Sequence, residues 1–139
     1  VDMMAIVHAT QEAYPALKQV QGSVVNISSI AAFHPAARQP PYGAIKAAVV
    51  HYTVTQAALY AKDRVRVNCI APGSIEFPGG VWDRRKTADP KLYNATLASI
   101  PFGRMGHAEE IAKVGLFLAS PHGSWVTGQA ISVAGGQGR

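Results

Sequence analysis

Cysteine is nearly absent from the sequence. Cys69 stands alone, which excludes an internal disulfide and suits a reducing compartment. Long hydrophobic runs are lacking too. No apolar stretch approaches the ~20 residues that span a bilayer, so the sequence predicts no transmembrane helix and no membrane partner. A secretory signal is also missing: Asp2 and His8 interrupt the amino-terminal stretch, and no small-residue cleavage site follows a charged start. These absences predict a cytoplasmic protein. The five histidines show no metal-ligand spacing, so no metal site is expected. The net charge of +5 and the pI near 9.6 raise the question of nucleic acid. The basic residues are scattered, however, with Arg84, Arg85 and Lys86 as the one cluster. Zinc-finger cysteine pairs and an aromatic-rich basic strand are both wanting, and a nucleic-acid partner is not expected. Internal repeats and low-complexity tracts are absent as well.

What is present is enough apolar material, 48% of 139 residues, to build a core. Residues 3–20 place Met3, Ile6, Val7, Thr10, Ala13 and Leu17 near helical spacing, with Gly22 as a stop. The β-branched run Ser23–Ser28 predicts a buried strand. A loop holding Pro35, Pro40 and Pro41 leads to a helix at about 41–62, since proline is welcome in a first turn. A second strand at 65–70 stops at Pro72-Gly73. Residues 73–106 predict a long excursion with one short helix opened by Asp89-Pro90. A helix at about 108–119 carries Glu109 and Glu110 in its first turn, and a last strand covers about 129–134. Such alternation predicts an α/β fold with a parallel sheet covered by helices on both faces. Three parallel strands leave an open edge, and Val1 begins in mid-helix without a cap. The sequence therefore reads as cut from something larger.

Ligands of open α/β sheets bind beyond the carboxyl ends of the strands. Ser29 ends the first strand and Pro72-Gly73 the second. Tyr42 falls in the first turn of the helix leaving that edge, and Lys46 sits four residues on, on the same helix face. A tyrosine is a weak base at neutral pH, with a pKa of ~10. A lysine cation one turn away and the positive helix end both favour its phenolate, which suits proton exchange with a carbonyl or alcohol oxygen. The Ser29 hydroxyl is placed to hold that oxygen, and Gly73 to let backbone approach a flat ring. Tyr-x-x-x-Lys by itself is a weak signal, and it occurs twice. Tyr14 with Lys18 lies late in its helix with no polar strand end before it, which predicts packing for Tyr14 and a solvated helix end for Lys18.

Gly22-Ser23-Val24-Val25-Asn26-Ile27-Ser28-Ser29 followed by Tyr42-Gly43-Ala44-Ile45-Lys46-Ala47-Ala48 resembles the active-site segment of short-chain dehydrogenases/reductases. Val65–Gly73, Gly103-Arg104-Met105-Gly106 with Glu109-Glu110, and Phe117–Ser120 through Thr127-Gly128 resemble the later segments of that family, in order and over essentially the whole chain. The resemblance implies the carboxyl-terminal, catalytic half of one doubly wound, Rossmann-type parallel sheet (residues 1–139), with the amino-terminal nucleotide-binding half absent. It implies an NAD- or NADP-dependent oxidoreductase acting on a carbonyl/alcohol substrate. Tyr42 would be the acid/base. Lys46 would hold the nicotinamide ribose and depress the tyrosine pKa, and Ser29, favoured over Ser28 by its spacing, would polarise the substrate oxygen. Ile27, Pro72, Gly73 and Ile75 would line the nicotinamide, and residues 74–104 would form the substrate lid. The resemblance also implies a homo-oligomer, a dimer or tetramer, built on the first two helices.

The sequence departs from the family at three places. Asp2 occupies the usual asparagine position of the proton relay, where a carboxylate accepts but does not donate as an amide does. Phe77 stands where many members have threonine, and Ala134-Gly135-Gly136 replaces Asp-Gly-Gly. The family's glycine-rich phosphate loop has no counterpart here, since no helix comes after Gly135-Gly136-Gln137-Gly138 to receive a pyrophosphate. A rival expectation is therefore a non-catalytic fragment or pseudoenzyme that acts only through association. The basic trio Arg84, Arg85 and Lys86 reads as a solvated face, with an anionic substrate as the alternative.

Overall fold

The computed structural model describes residues 2–138, with the side chain of Asp2 outside the described set. Helix α1 (Asp2–Val20) leads into strand β1 (Ser23–Ile27), helix α2 (Pro40–Tyr60) and strand β2 (Arg66–Pro72). Helices α3 (Val81–Ala88), α4 (Pro90–Ala98) and α5 (Ala108–Ala119) come next, and strand β3 (Ala130–Val133) closes the sheet. All pairs are parallel in the order β1-β2-β3, with Val24 opposite Val67 and Ile70 opposite Ile131.

Strand β2 is the core. Val67 through Ala71 are all buried, and because successive strand residues face opposite ways, both faces of the sheet must be covered. Helices α2 and α5 supply the covers. The expected doubly wound pattern is present. Buried polar groups bind the layers: Asn26 donates to the Thr53 hydroxyl at 2.9 Å, tying β1 to α2. Asn68 donates to the Val126 carbonyl at 2.8 Å and accepts from the Gln129 amide, fixing the entry to β3.

Two expectations need correction. Strand β2 runs two residues further than predicted, to Pro72, whose lack of an N–H is tolerated at a strand terminus. Residues 73–106 hold two helices rather than one. Helix α3 has little apolar periodicity, and Gly80 caps it without a side chain. It is stabilised instead by tertiary packing. Trp82 and Leu97 lie against the buried trio Tyr93, Ile100 and Met105, a small core separate from the main sheet. Glu76 fastens this unit, accepting from the Tyr93 hydroxyl at 2.6 Å and pairing with Lys86 at 3.2 Å. As expected, Asp89 caps α4, accepting from the Leu92 amide. No helix among the described residues is long and apolar enough to cross a membrane.

Candidate active site

The carboxyl end of β1 and the first turns of α2 are joined by two adjacent serines with different work. Ser28 is buried, and its hydroxyl donates to the Lys46 carbonyl at 2.7 Å, pinning α2 to the strand end. Ser29 is half-buried, and its oxygen caps the short 3-10 turn Ile30–Ala32 by accepting from the Ala31 amide at 3.2 Å. That bond leaves the Ser29 O–H available as a donor. Gly43 permits the close seating of α2 on this turn: a Cβ there would lie 2.8 Å from the Ala36 methyl and 3.2 Å from the Ala31 carbonyl.

Tyr42 and Lys46 share a face of α2, as their spacing predicts. The Lys46 ammonium lies 5.7 Å from the centroid of the Tyr42 ring and donates at 3.4 Å to the Ile27 carbonyl. Ile27, Lys46 and Tyr42 thus form one chain of neighbours along the sheet edge. Tyr42 is 41% exposed and opens onto a cleft of ≈ 550 Å³. The far side of that cleft comes from the 74–104 segment, through Ser74, Trp82, Arg85, Leu92, Thr96 and Ser99. Its volume falls in the range of small-molecule sites.

The other expected residues lie at the end of β2 and in the turn after it. Gly73 is bare because of the protein's own tail: a Cβ there would lie 2.8 Å from the Ala134 Cβ and the Gln137 Oε1. The carboxyl-terminal tail thus gives Gly73 a reason to be bare that the sequence reading did not include. Gln137, three residues beyond Ala134, ties the tail to the turn after β2. Its amide accepts from the Ser74 N–H at 2.8 Å and donates to the hydroxyls of Ser74 and Ser99. Pro72 ends β2 beside Val133, and the Gly73 amide donates to the Val133 carbonyl. Ile75 does not line the Tyr42 cleft. It bridges to Gly106 and lines a second cavity, of ≈ 120 Å³, that shares Ser74 with the first. Phe77 is half-exposed in a turn, its carbonyl accepting from Gly80. The side chain of Asp2 lies outside the described residues.

The basic trio is divided. Arg84 donates to the Gly79 carbonyl at 2.6 Å and Lys86 pairs with Glu76, while Arg85 lies 5.4 Å from the Trp82 ring centroid and faces the cleft. Arg38, from the loop before α2, reaches the same cleft. Sequence spacing gives no sign of Arg38, Trp82 or Gln137, because each joins the site across the tertiary fold.

A nicotinamide ribose fits part of this arrangement. The exposed Lys46 ammonium makes one long contact and has further N–H groups to offer, beside the exposed Ile27 side chain. Among the described residues no group of three His, Cys, Asp or Glu side chains is placed to hold a metal ion.

Residues 1–137 match a family model described as enoyl-(acyl carrier protein) reductase. The chain is similar to the 3-oxoacyl-[acyl-carrier-protein] reductase of Thermotoga maritima, 40% identical over 137 residues that are 98% of this chain and 54% of that protein. It is also similar to isoepoxydon dehydrogenase of Aspergillus clavatus, 34% identical over 138 residues, 98% of this chain and 53% of that one. A solved 3-oxoacyl-[acyl-carrier protein] reductase with bound NAD from Brucella melitensis superposes with a TM-score of 0.83 at 30% identity, covering 98% of this chain and 48% of that one. The chain spans about half the length of the curated relatives it matches. The parallel sheet, the helix carrying Tyr42 and Lys46 at its rim, and a match along nearly every residue converge on one conclusion: the chain belongs to the short-chain dehydrogenase/reductase family.

Proposed function

We propose that this chain supplies the catalytic half of an NAD- or NADP-dependent oxidoreductase acting on a carbonyl/alcohol pair. One observation carries the reading: Tyr42 opens onto a cleft of small-molecule size while Lys46 holds a positive charge beside its ring. A nicotinamide cofactor, when bound, supplies or accepts the hydride. Lys46 and the Ile27 carbonyl hold the ribose next to the strand ends. Ser29 donates its free O–H to the substrate oxygen and orients it. As hydride reaches the carbonyl carbon, the C=O π pair passes to oxygen, and Tyr42 delivers the proton that completes the alcohol. The phenolate left behind recovers a proton from solvent, and its charge is offset by Lys46. In the oxidative direction Tyr42 takes the alcohol proton as hydride leaves the carbon. The relatives' names, a 3-oxoacyl-[acyl-carrier-protein] reductase and an isoepoxydon dehydrogenase, support carbonyl/alcohol chemistry and divide on the substrate. Self-association through α1 and α2 belongs to the same reading, since Met4, Val54 and Leu59 leave apolar surface exposed there.

The test is a fluorescence titration of the protein and of Lys46→Ala with NADH and with NADPH. Saturable binding of one nucleotide identifies the cofactor, and loss of the lysine's charged hydrogen bonds weakens it by about tenfold or more. Absence of binding by the chain alone agrees with a catalytic half that needs its nucleotide-binding half; joined to that half, a folded protein that binds neither nucleotide, or binds equally well without Lys46, overturns the assignment.

A further inference from the structure

We infer that the cleft beside Tyr42 selects a carbonyl compound bearing an oxyanion, a carboxylate or a phosphate monoester, gripped by Arg38 and Arg85. The inference rests on the reading of Tyr42 as the acid/base and adds the substrate class. The charge on the cleft wall carries it. Among the described residues the cleft is lined by two arginines, Arg38 and Arg85, and by no aspartate or glutamate. The three ion pairs among the described residues use Lys18, Lys86 and Arg104, so Arg38 and Arg85 face the cleft with no acidic partner there. Their neighbours are already engaged, Arg84 by the Gly79 carbonyl and Lys86 by Glu76, which leaves Arg85 as the one member of the trio turned to the cleft. Arg85 is also positioned. Its guanidinium lies 5.4 Å from the Trp82 ring centroid, and the indole restrains it while its N–H groups remain free for a planar, bidentate contact. Positive charge without an acidic partner on that wall favours an anion there. Ile30, Pro35 and Leu92 add apolar wall for a short aliphatic body.

Two matched probe pairs test this: acetoacetate against its methyl ester, and dihydroxyacetone phosphate against dihydroxyacetone. Binding is read by Trp82 fluorescence in a Trp125→Phe background, Trp125 being 98% exposed and outside this cleft. The anionic member of at least one pair is expected to bind about tenfold or more tightly than its neutral partner, the equivalent of one charge-assisted contact. The pair that discriminates tells carboxylate from phosphate. Arg85→Met and Arg38→Met each remove the preference with the melting temperature unchanged, and Arg85→Lys keeps part of it. Equal binding of charged and neutral members, no binding of either pair, or a preference that survives both methionine variants overturns the proposal. The catalytic reading fails separately. If Tyr42→Phe keeps turnover while the anion preference persists, Tyr42 is not the acid/base and the arginine site stands.

Discussion

Tyr14 and Lys18 on α1 have the same spacing as Tyr42 and Lys46 on α2, and the fold surrounds the two pairs with opposite environments. The Tyr14 hydroxyl donates to the Asp63 carboxylate, its ring stacks on Tyr60 at 4.0 Å, and Lys18 closes the group with an ion pair to Asp63 at 3.0 Å. The bond to Asp63, followed by burial, pushes the Tyr14 phenol up to about 12, so it holds its proton throughout the physiological range. Among the described residues Tyr42 has no carboxylate partner, and it faces a cleft with a cation beside its ring. The first pair is a clasp between α1 and the end of α2; the second stands open at the cleft, where we propose proton exchange. A motif of two residues decides neither outcome. The third group does, a carboxylate in one case and an open cleft in the other.

The contrast weakens most where the tail contact beside the open site is disrupted. Gly73→Ala drives a methyl into Ala134 and Gln137, and overpacking of this kind costs about 1–3 kcal/mol. Denaturant unfolding will show that loss, and turnover should fall with it, because Gln137 no longer holds Ser74 at the rim. A smaller change opens the closed site. With Tyr14 raised from 10.0 to about 12, its contribution to stability is fully present below pH 10 and is lost as pH rises towards 12. Tyr14→Phe should lower the melting temperature at neutral pH and flatten the alkaline fall between those limits, as followed by circular dichroism across pH. The smallest effect belongs to an exposed pair that resembles neither. Two hydrogen bonds from Arg104, then one from the His107 amide, lower Glu110 from 4.5 to about 2. Its contribution is present above pH 4.5 and is lost as pH falls towards 2. Glu110→Gln should remove that segment of the acid-unfolding curve and leave the alkaline limb unchanged.

Much of the fold is legible in the sequence because its signals are local. The β-branched run of β1, the paired prolines opening α2 and the acidic first turn of α5 each sit within one element, and all three elements appear where expected. Helix α3 is not legible, since Gly80 and Arg84 to Thr87 give no apolar stripe and its stability comes from Trp82 packing on Tyr93 and Ile100. The site divides along the same line. Tyr42 and Lys46 share a helix face as their spacing predicts, and Ser29 follows the end of β1. Lys18 is exposed at its helix end as expected, but its ion pair with Asp63, distant in sequence and joined to it by the crossing of α1 and α2, is not legible in spacing. The role of Gly73 escapes a sequence reading for the same reason: what presses on it is the carboxyl-terminal tail.

Parallel measurement of Tyr42→Phe and Tyr14→Phe, each made in the protein joined to its nucleotide-binding half, tests the central claim most directly, with turnover of acetoacetate and its methyl ester by NADH or NADPH read beside the melting temperature. Tyr42→Phe should lose about 10²–10⁴ in turnover, the range of general acid catalysis, with nucleotide affinity and melting temperature unchanged. Tyr14→Phe should keep turnover and melt at lower temperature. Wild-type turnover in Tyr42→Phe, or its loss in Tyr14→Phe, would contradict the account.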